Sequence, residues 1–152
     1  MKREEEKRIM VVDIDGTISE VGLRRRRLLE QFPVDWDAFY RDNFDDLPKR
    51  DVCSFVQFNA RRMEVFFCTS RRESVRDKTQ KWLLRNLGMQ PRDYTLIMRE
   101  NSDERPEHIQ KLDQFFRETT EEERRRVLFV VEDDKTVARM WHRKGFTCFV
   151  VR

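Results

Sequence analysis

Asp13 and Asp15 stand two positions apart at the end of a short apolar run and are followed at once by Gly16 and Thr17. On extended backbone, side chains at i and i+2 point to the same side, so the two carboxylates share one face. The run ahead of them, Ile9 to Val12, has the unbroken apolar character of a strand buried on both faces. Its carboxyl end is where open α/β sheets hold their ligands, and the carboxylate pair is placed to face one. Gly16 lets the backbone turn sharply there. The chemically silent alternative is a strand entering an ordinary Asp-Gly turn.

Two further polar clusters follow apolar runs in the same way. Phe66-Phe67-Cys68-Thr69-Ser70-Arg71-Arg72 supplies hydroxyls and then guanidinium groups, and Val130-Val131-Glu132-Asp133-Asp134 ends in three acids. Either cluster alone reads as a helix cap or a solvated turn. Three such clusters, each at the carboxyl end of a predicted strand, point to one shared sheet edge.

The elements that must position them are legible from periodicity. Apolar runs at 9–14, 64–69, 95–99, 127–132 and 147–151 read as strands, and the stretches between them have helical period. That alternation predicts an α/β fold, a Rossmann-like parallel five-stranded sheet flanked by helices. One helix spans about Ser74 to Leu87, with Val75, Trp82, Leu83 and Leu87 on one stripe and Gly88 ending it. Another starts near Pro106 and is expected to carry Ile109, Leu112, Phe115 and Phe116 inward. A third covers about Thr136 to Lys144 through Val137, Met140 and Trp141, and stops at Gly145. Residues 50–60 form the crossover helix after the first strand. The segment from Arg24 to Phe44 is a small helical excursion inside an insert of about 18–48, too short for a lid domain of its own.

The chain has 152 residues, the size of one domain (1–152), with 40% charged and 38% hydrophobic residues. Twelve Phe and three Trp argue against disorder. A net charge of +3 hides 32 Lys and Arg, which permits a polyanionic partner without demanding one. Cys53, Cys68 and Cys148 form no Cys-x-x-Cys pair, and with only His108 and His142 beside them they make no zinc set. They read as reduced, mostly buried thiols. No stretch has the length of a membrane span, and the charged run Met1 to Arg8 is no signal peptide, so the expected location is the cytoplasm, with no membrane partner.

In order and residue type, these clusters resemble the motifs of haloacid dehalogenase (HAD) superfamily phosphohydrolases. Asp13-x-Asp15-Gly16-Thr17 matches the first motif, Thr69 the second, Lys111 the third and Glu132-Asp133-Asp134 the fourth. The resemblance implies a HAD fold with a minimal helical insert instead of a large cap. It makes Asp13 the nucleophile that forms an aspartyl-phosphate and Asp15 the acid and then the base. Mg²⁺ would be held by Asp13, the main-chain carbonyl of Asp15, Glu132 and Asp133, with Asp134 an alternative ligand. Thr69 would hydrogen-bond the transferring phosphoryl group, and Lys111 would neutralise its charge.

A narrower similarity lies in Asp35-Trp36-Asp37-Ala38-Phe39, Thr69 to Ser74, Met98-Arg99, Asp103-x-Arg105-Pro106-Glu107 and Met140-Trp141. These resemble the phosphatase domain of phage-type polynucleotide kinase-phosphatases, which removes 3′-phosphates from nucleic-acid ends. The implied substrate is a DNA or RNA 3′ end, bound by Arg24, Thr69, Ser70 and Arg71. Any of the arginines from Arg24 to Arg27 could take the place given to Arg24. Those arginines, followed by Phe32, Trp36, Phe39 and Tyr40, interleave charge with aromatic planes as strand-binding grooves do, although core packing explains the aromatics slightly better and the arginines less well. No nucleotide-binding Gly-x-x-x-x-Gly-Lys-Ser/Thr loop is present, so a stand-alone phosphatase is expected, with a separate kinase or ligase as a candidate partner. Two competing functions remain: a HAD phosphatase for small nucleotides or other phosphomonoesters, and a catalytically silent nucleic-acid-binding module.

Overall fold

All five apolar runs form strands: β1 (Ile9–Val12), β2 (Glu64–Arg72), β3 (Tyr94–Arg99), β4 (Val127–Glu132) and β5 (Cys148–Val150). They pair in parallel in the order β3-β2-β1-β4-β5. The structure, a computed structural model, describes residues 6–41 and 46–152, with side chains for all of these except residues 23, 24, 40 and 41.

Alternation along β1 shows why the run is apolar throughout. Met10 and Val12 face a core built with Val65, Phe67, Cys53, Val56, Trp82 and Leu83. Ile9 and Val11 face the opposite core, built with Phe66, Ile97, Phe115, Val137 and Trp141. The first core is covered by α3 (Arg50–Ala60) and α4 (Arg76–Leu87), and the second by α5 (Glu107–Glu118) and α7 (Lys135–Arg143). A central strand covered on both faces has no room for a polar residue until it leaves the sheet. Its first carboxylate therefore sits at the strand end, at Asp13.

The insert between β1 and β2 contributes two short helices, α1 (Leu23–Leu29) and α2 (Trp36–Arg41), before α3. The expected excursion to Phe44 runs into residues 42–45, which lie outside the described residues.

Three features depart from the sequence reading. β2 runs on from Thr69 through Arg72, with an irregularity after Cys68 and renewed pairing at Arg72 and Arg99. The extension carries Arg71 along the sheet edge. Helix α5 buries Gln110, Lys111, Gln114 and Phe115, while Ile109 and Phe116 are exposed and Leu112 is half-buried. The helix is rotated to bring its lysine inward, because three carboxylates await that charge. Finally, α6 (Glu121–Arg126) has no apolar stripe for periodicity to detect. Reciprocal capping between Thr120 and Glu123 holds it, with Glu121–Arg125 and Glu122–Arg126 pairs one turn apart.

Candidate active site

β1 and β4 are neighbours at the centre of the sheet, while the chain leaves β1 for β2 on the other side. Their carboxyl ends therefore form a topological switch point, where a crevice opens above the sheet. The Asp13 main-chain N–H donates to the Val131 carbonyl at 3.0 Å, which fixes the residue just beyond β1. In the turn that follows, the N–H groups of Thr17, Ile18 and Ser19 all donate to the Ile14 carbonyl. Gly16 has a φ of +81°, and a Cβ at that position would overlap the Asp133 carboxylate. Both the conformation and the close approach require glycine.

Five charged groups meet there, Asp13 beyond β1, Glu107 and Lys111 on α5, and Glu132 and Asp133 at the end of β4. Lys111 Nζ donates to Asp13 Oδ1 at 2.9 Å and to Glu132 Oε2 at 3.0 Å, and pairs with Glu107 at 3.1 Å. Thr17 Oγ1 lies 2.8 Å from Asp13 Oδ2 and 3.0 Å from Asp133 Oδ1, bridging the two carboxylates. Burial pushes the Asp13 carboxyl up to about 6 against the pull of Lys111, with Asp133 adding to the rise. Burial first, and then Asp13, raises Glu132 well above the usual carboxylate range. Burial works against the Lys111 charge, but Asp13, Glu132 and Glu107 outweigh it and lift the ammonium well above its ordinary value.

Oxygens of Asp13, Glu132 and Asp133 lie within 4.8 Å of one another. With Glu107, four carboxylates surround one lysine, and the three that cluster offer only hard oxygen donors. That is the donor set and charge deficit a Mg²⁺ ion fits. Asp134, the alternative ligand, accepts instead from the Thr136 and Val137 N–H groups at 2.8 and 2.9 Å as the N-cap of α7. The N-cap role takes it out of the cluster, and the pair Glu132-Asp133 stays.

Asp15 has a different environment. Arg71 donates to it twice, through Nε at 2.9 Å and Nη2 at 2.8 Å, and Arg25 Nη1 donates at 3.1 Å. Burial opposes the Asp15 charge, yet Arg71 and then Arg25 hold the carboxyl well below its usual range. Arg25 is itself buried, donates through Nε to the Phe39 carbonyl at 2.7 Å and pairs with Asp46. Its Nη2 is buried with no acceptor. Among the described side chains of α1, Arg25 is the arginine that reaches Asp15. The Arg24 side chain lies outside the described residues, and Arg26 and Arg27 are exposed.

Thr69 Oγ1 accepts from the Arg71 N–H at 3.1 Å, and Ser70 Oγ donates to Gln110 Oε1 at 3.3 Å, tying β2 to α5. Three participants lacked an assigned role in the sequence reading: Thr17, Glu107 and Asp46. Glu107 stands four residues before Lys111, a helical spacing that could have revealed it. Asp46 had no local signal, because only the fold brings it to Arg25.

The sequence profile of the polynucleotide kinase PNKP phosphatase domain matches residues 7–152. The chain belongs to this family. No curated protein matches it. Among solved structures it is similar to a chain of the Pnkp1/Rnl/Hen1 complex, at 23% identity and a TM-score of 0.76 over 98% of this chain and 47% of that one. It therefore spans about half the length of that neighbour. A haloacid dehalogenase-like hydrolase from Streptococcus pneumoniae matches at 10% identity and a TM-score of 0.61, over 96% of this chain and 85% of that one. CbbY from Rhodobacter sphaeroides, solved with phosphate, matches at 12% and 0.60, over 95% and 86%. This member of the PNKP phosphatase family thus carries the HAD-type fold of a phosphoric monoester hydrolase.

Proposed function

We propose that this HAD phosphatase domain is a Mg²⁺-dependent polynucleotide 3′-phosphatase. The observation that carries the reading is the division of its two carboxylates. Asp13 faces Lys111 and the acidic cluster, whereas Asp15 is held by two buried arginines, one with an N–H left without an acceptor. Phosphoryl oxygens fill that vacancy in donor pairing.

Asp13 attacks phosphorus, and the bond to the 3′-oxygen breaks as Asp15 delivers a proton to it. A water, deprotonated by Asp15, then releases inorganic phosphate from Asp13. Thr69 and Lys111 stabilise the transferring oxygens. Mg²⁺ would be held by Asp13, Asp133, Glu132 and the main-chain carbonyl of Asp15, and would supply neutralisation of the charge between Asp13 and the phosphate. For Asp15 to carry a proton, Arg71 and Arg25 must loosen their hold on it. Incoming phosphoryl oxygens provide the competing acceptors, so substrate binding readies the acid. Arg24 or its neighbour Arg25, with Thr69, Ser70 and Arg71, binds the terminal phosphate.

The solved neighbour belongs to an RNA repair complex of Pnkp1, Rnl and Hen1, which supports a nucleic-acid end as substrate and a separate kinase or ligase as partner. Among the described residues no helix is long and apolar enough to cross a membrane. Turnover of a 3′-phosphorylated oligonucleotide, compared with mononucleotides and 5′-phosphorylated ends with and without Mg²⁺, tests the reading. Only the 3′ end with Mg²⁺ should react well, and Asp13→Asn should lower kcat on the order of 10³-fold or more while keeping affinity. Hydrolysis of mononucleotides alone would assign a small-nucleotide phosphatase, and binding without any turnover a silent module.

A further inference from the structure

Helix α5 turns Lys111 inward, and apolar residues that periodicity places in the core are left outside. Ile109 is 43% and Phe116 42% exposed, with Leu112 half-buried between them. The spacing i, i+3 and i+7 puts all three on one stripe, about 10 Å long at roughly 1.5 Å per residue. Beside the stripe, Met140 of α7 floors a groove of about 380 Å³, with Arg105 and Lys144 at its rim. Scattered apolar side chains on a surface need no explanation, but a contiguous apolar groove rimmed by charge marks an interaction surface.

The charges around this groove are one-sided. Along α5, Arg105 and Arg117 both pair with Asp113, so that wall is matched internally. The other wall is α7, whose span holds no acid and which exposes Lys135, Arg139 and Arg143, followed by Lys144. Arg124 adds a cation at the far end, 4.6 Å over the Phe116 ring. An apolar floor with a basic wall is complementary to a helix that is apolar along one stripe and acidic beside it.

Two other occupants fit less well. A nucleic-acid strand would use the basic wall, but single strands gain much of their hold by stacking on aromatic faces. Here the Phe116 ring carries Arg124 on one face and meets Phe115 edge-on. A second copy would offer the exposed Phe55 and Phe58 of α3. That helix begins at Arg50 and is followed by Arg61 and Arg62, with Asp51 its one acid, so like charges would face α7.

We infer that the groove between α5 and α7 docks an acidic amphipathic helix of a partner protein. Its apolar residues at i, i+3 and i+7 seat against Ile109, Leu112, Phe116 and Met140, and its carboxylates face α7. The docking does not depend on the phosphatase reaction, because the groove lies on the outer side of α5 while Lys111 meets Asp13 from the inner side.

The probe is a peptide of about 18 residues, five helical turns, with leucines at i, i+3, i+4 and i+7 and glutamates on the flanks. It is titrated against the full chain by fluorescence anisotropy, beside a scrambled peptide of the same composition and a peptide with lysine in place of each glutamate. The glutamate peptide should bind, and both controls should bind at least about tenfold more weakly. Ile109→Asp should lower its affinity about tenfold or more. Arg143→Glu combined with Lys144→Glu, both on exposed positions, should reverse the preference in favour of the lysine peptide. Cooperative thermal unfolding of each variant shows that it is folded. Equal binding of the glutamate and scrambled peptides, or binding of neither, would overturn the inference. Tighter binding of an oligonucleotide than of the peptide, lost in the double variant, would overturn it in favour of nucleic acid. Dimerisation of the chain that Ile109→Asp abolishes would overturn it in favour of a second copy.

Discussion

Gly16 sits directly against the acidic cluster, at its Asp133 carboxylate. Its φ of +81° costs an L-residue about 1–2 kcal/mol, and a Cβ there overlaps the Asp133 carboxylate that Thr17 also binds. Gly16→Ala should therefore lower stability by about 1–2 kcal/mol and, by pushing Asp133 away from Asp13, weaken Mg²⁺ binding tenfold or more. Calorimetric Mg²⁺ titration beside thermal unfolding without metal reads the two effects apart, and wild-type metal affinity in the variant would remove Asp133 from the cluster. At this scale the sequence was informative wherever a residue type has few other uses. Asp13, Asp15 and Lys111 were singled out by type and order, and the structure brings Lys111 to Asp13 and Arg71 to Asp15. It was ambiguous wherever like residues adjoin: the choice among Arg24 to Arg27 depends on helix phase, and that between Asp133 and Asp134 on which carboxylate caps α7.

Helix α4 connects the core to Arg25, the arginine that pairs with Asp15. Trp82, fully buried against β1 and β2, donates through Nε1 to the Asp46 carbonyl at 2.9 Å, and the Asp46 carboxylate pairs with Arg25. Trp82→Phe keeps most of the packing but leaves that buried carbonyl without its donor, which costs about 1–3 kcal/mol. A Tm fall of roughly 2–4 °C for each kcal/mol should follow, together with a higher KM as Arg25 loses its anchor, read by thermal unfolding and steady-state kinetics. An unchanged KM with a lowered Tm would limit Trp82 to packing. Element existence was readable from the sequence because strands and apolar-faced helices repeat with fixed periods. The phase of α5 was not, since an apolar stripe presumes an apolar neighbour. Its buried face instead meets Asp13 and Glu132 through Lys111, and Ser70 through Gln110. Nor was α6 readable, as capping, ion pairs and arginine contacts hold it without an apolar stripe.

At the scale of the molecule, alternating strands and helices predicted a parallel sheet but could not say on which side of β1 the fourth strand would lie. That placement, β4 against β1, brings residues more than a hundred positions apart into one cluster, so the site and the fold are stable together. The cysteines can measure this coupling. Burial pushes the Cys53 thiol up to about 11 and Cys148 to about 12, and raises Cys68 further still. A raised thiol pKa means less thiolate, about one part in a thousand or less near pH 8, so alkylation of the native chain is slow. Cys148, on the short edge strand β5, should react first, through local opening. Cys68 lies on β2 with its side chain in the core under α5 and α7, so its labelling requires unfolding of the sheet. Any ligand that binds only the folded cluster stabilises the whole by mass action. Mg²⁺ at 100 times its dissociation constant should therefore slow Cys68 alkylation about 100-fold, with Cys148 less affected. Mass spectrometry of labelled peptides reads both rates at once. If Mg²⁺ left the Cys68 rate unchanged, the metal would not be bound between β1 and β4, because a ligand bridging those strands must oppose their separation.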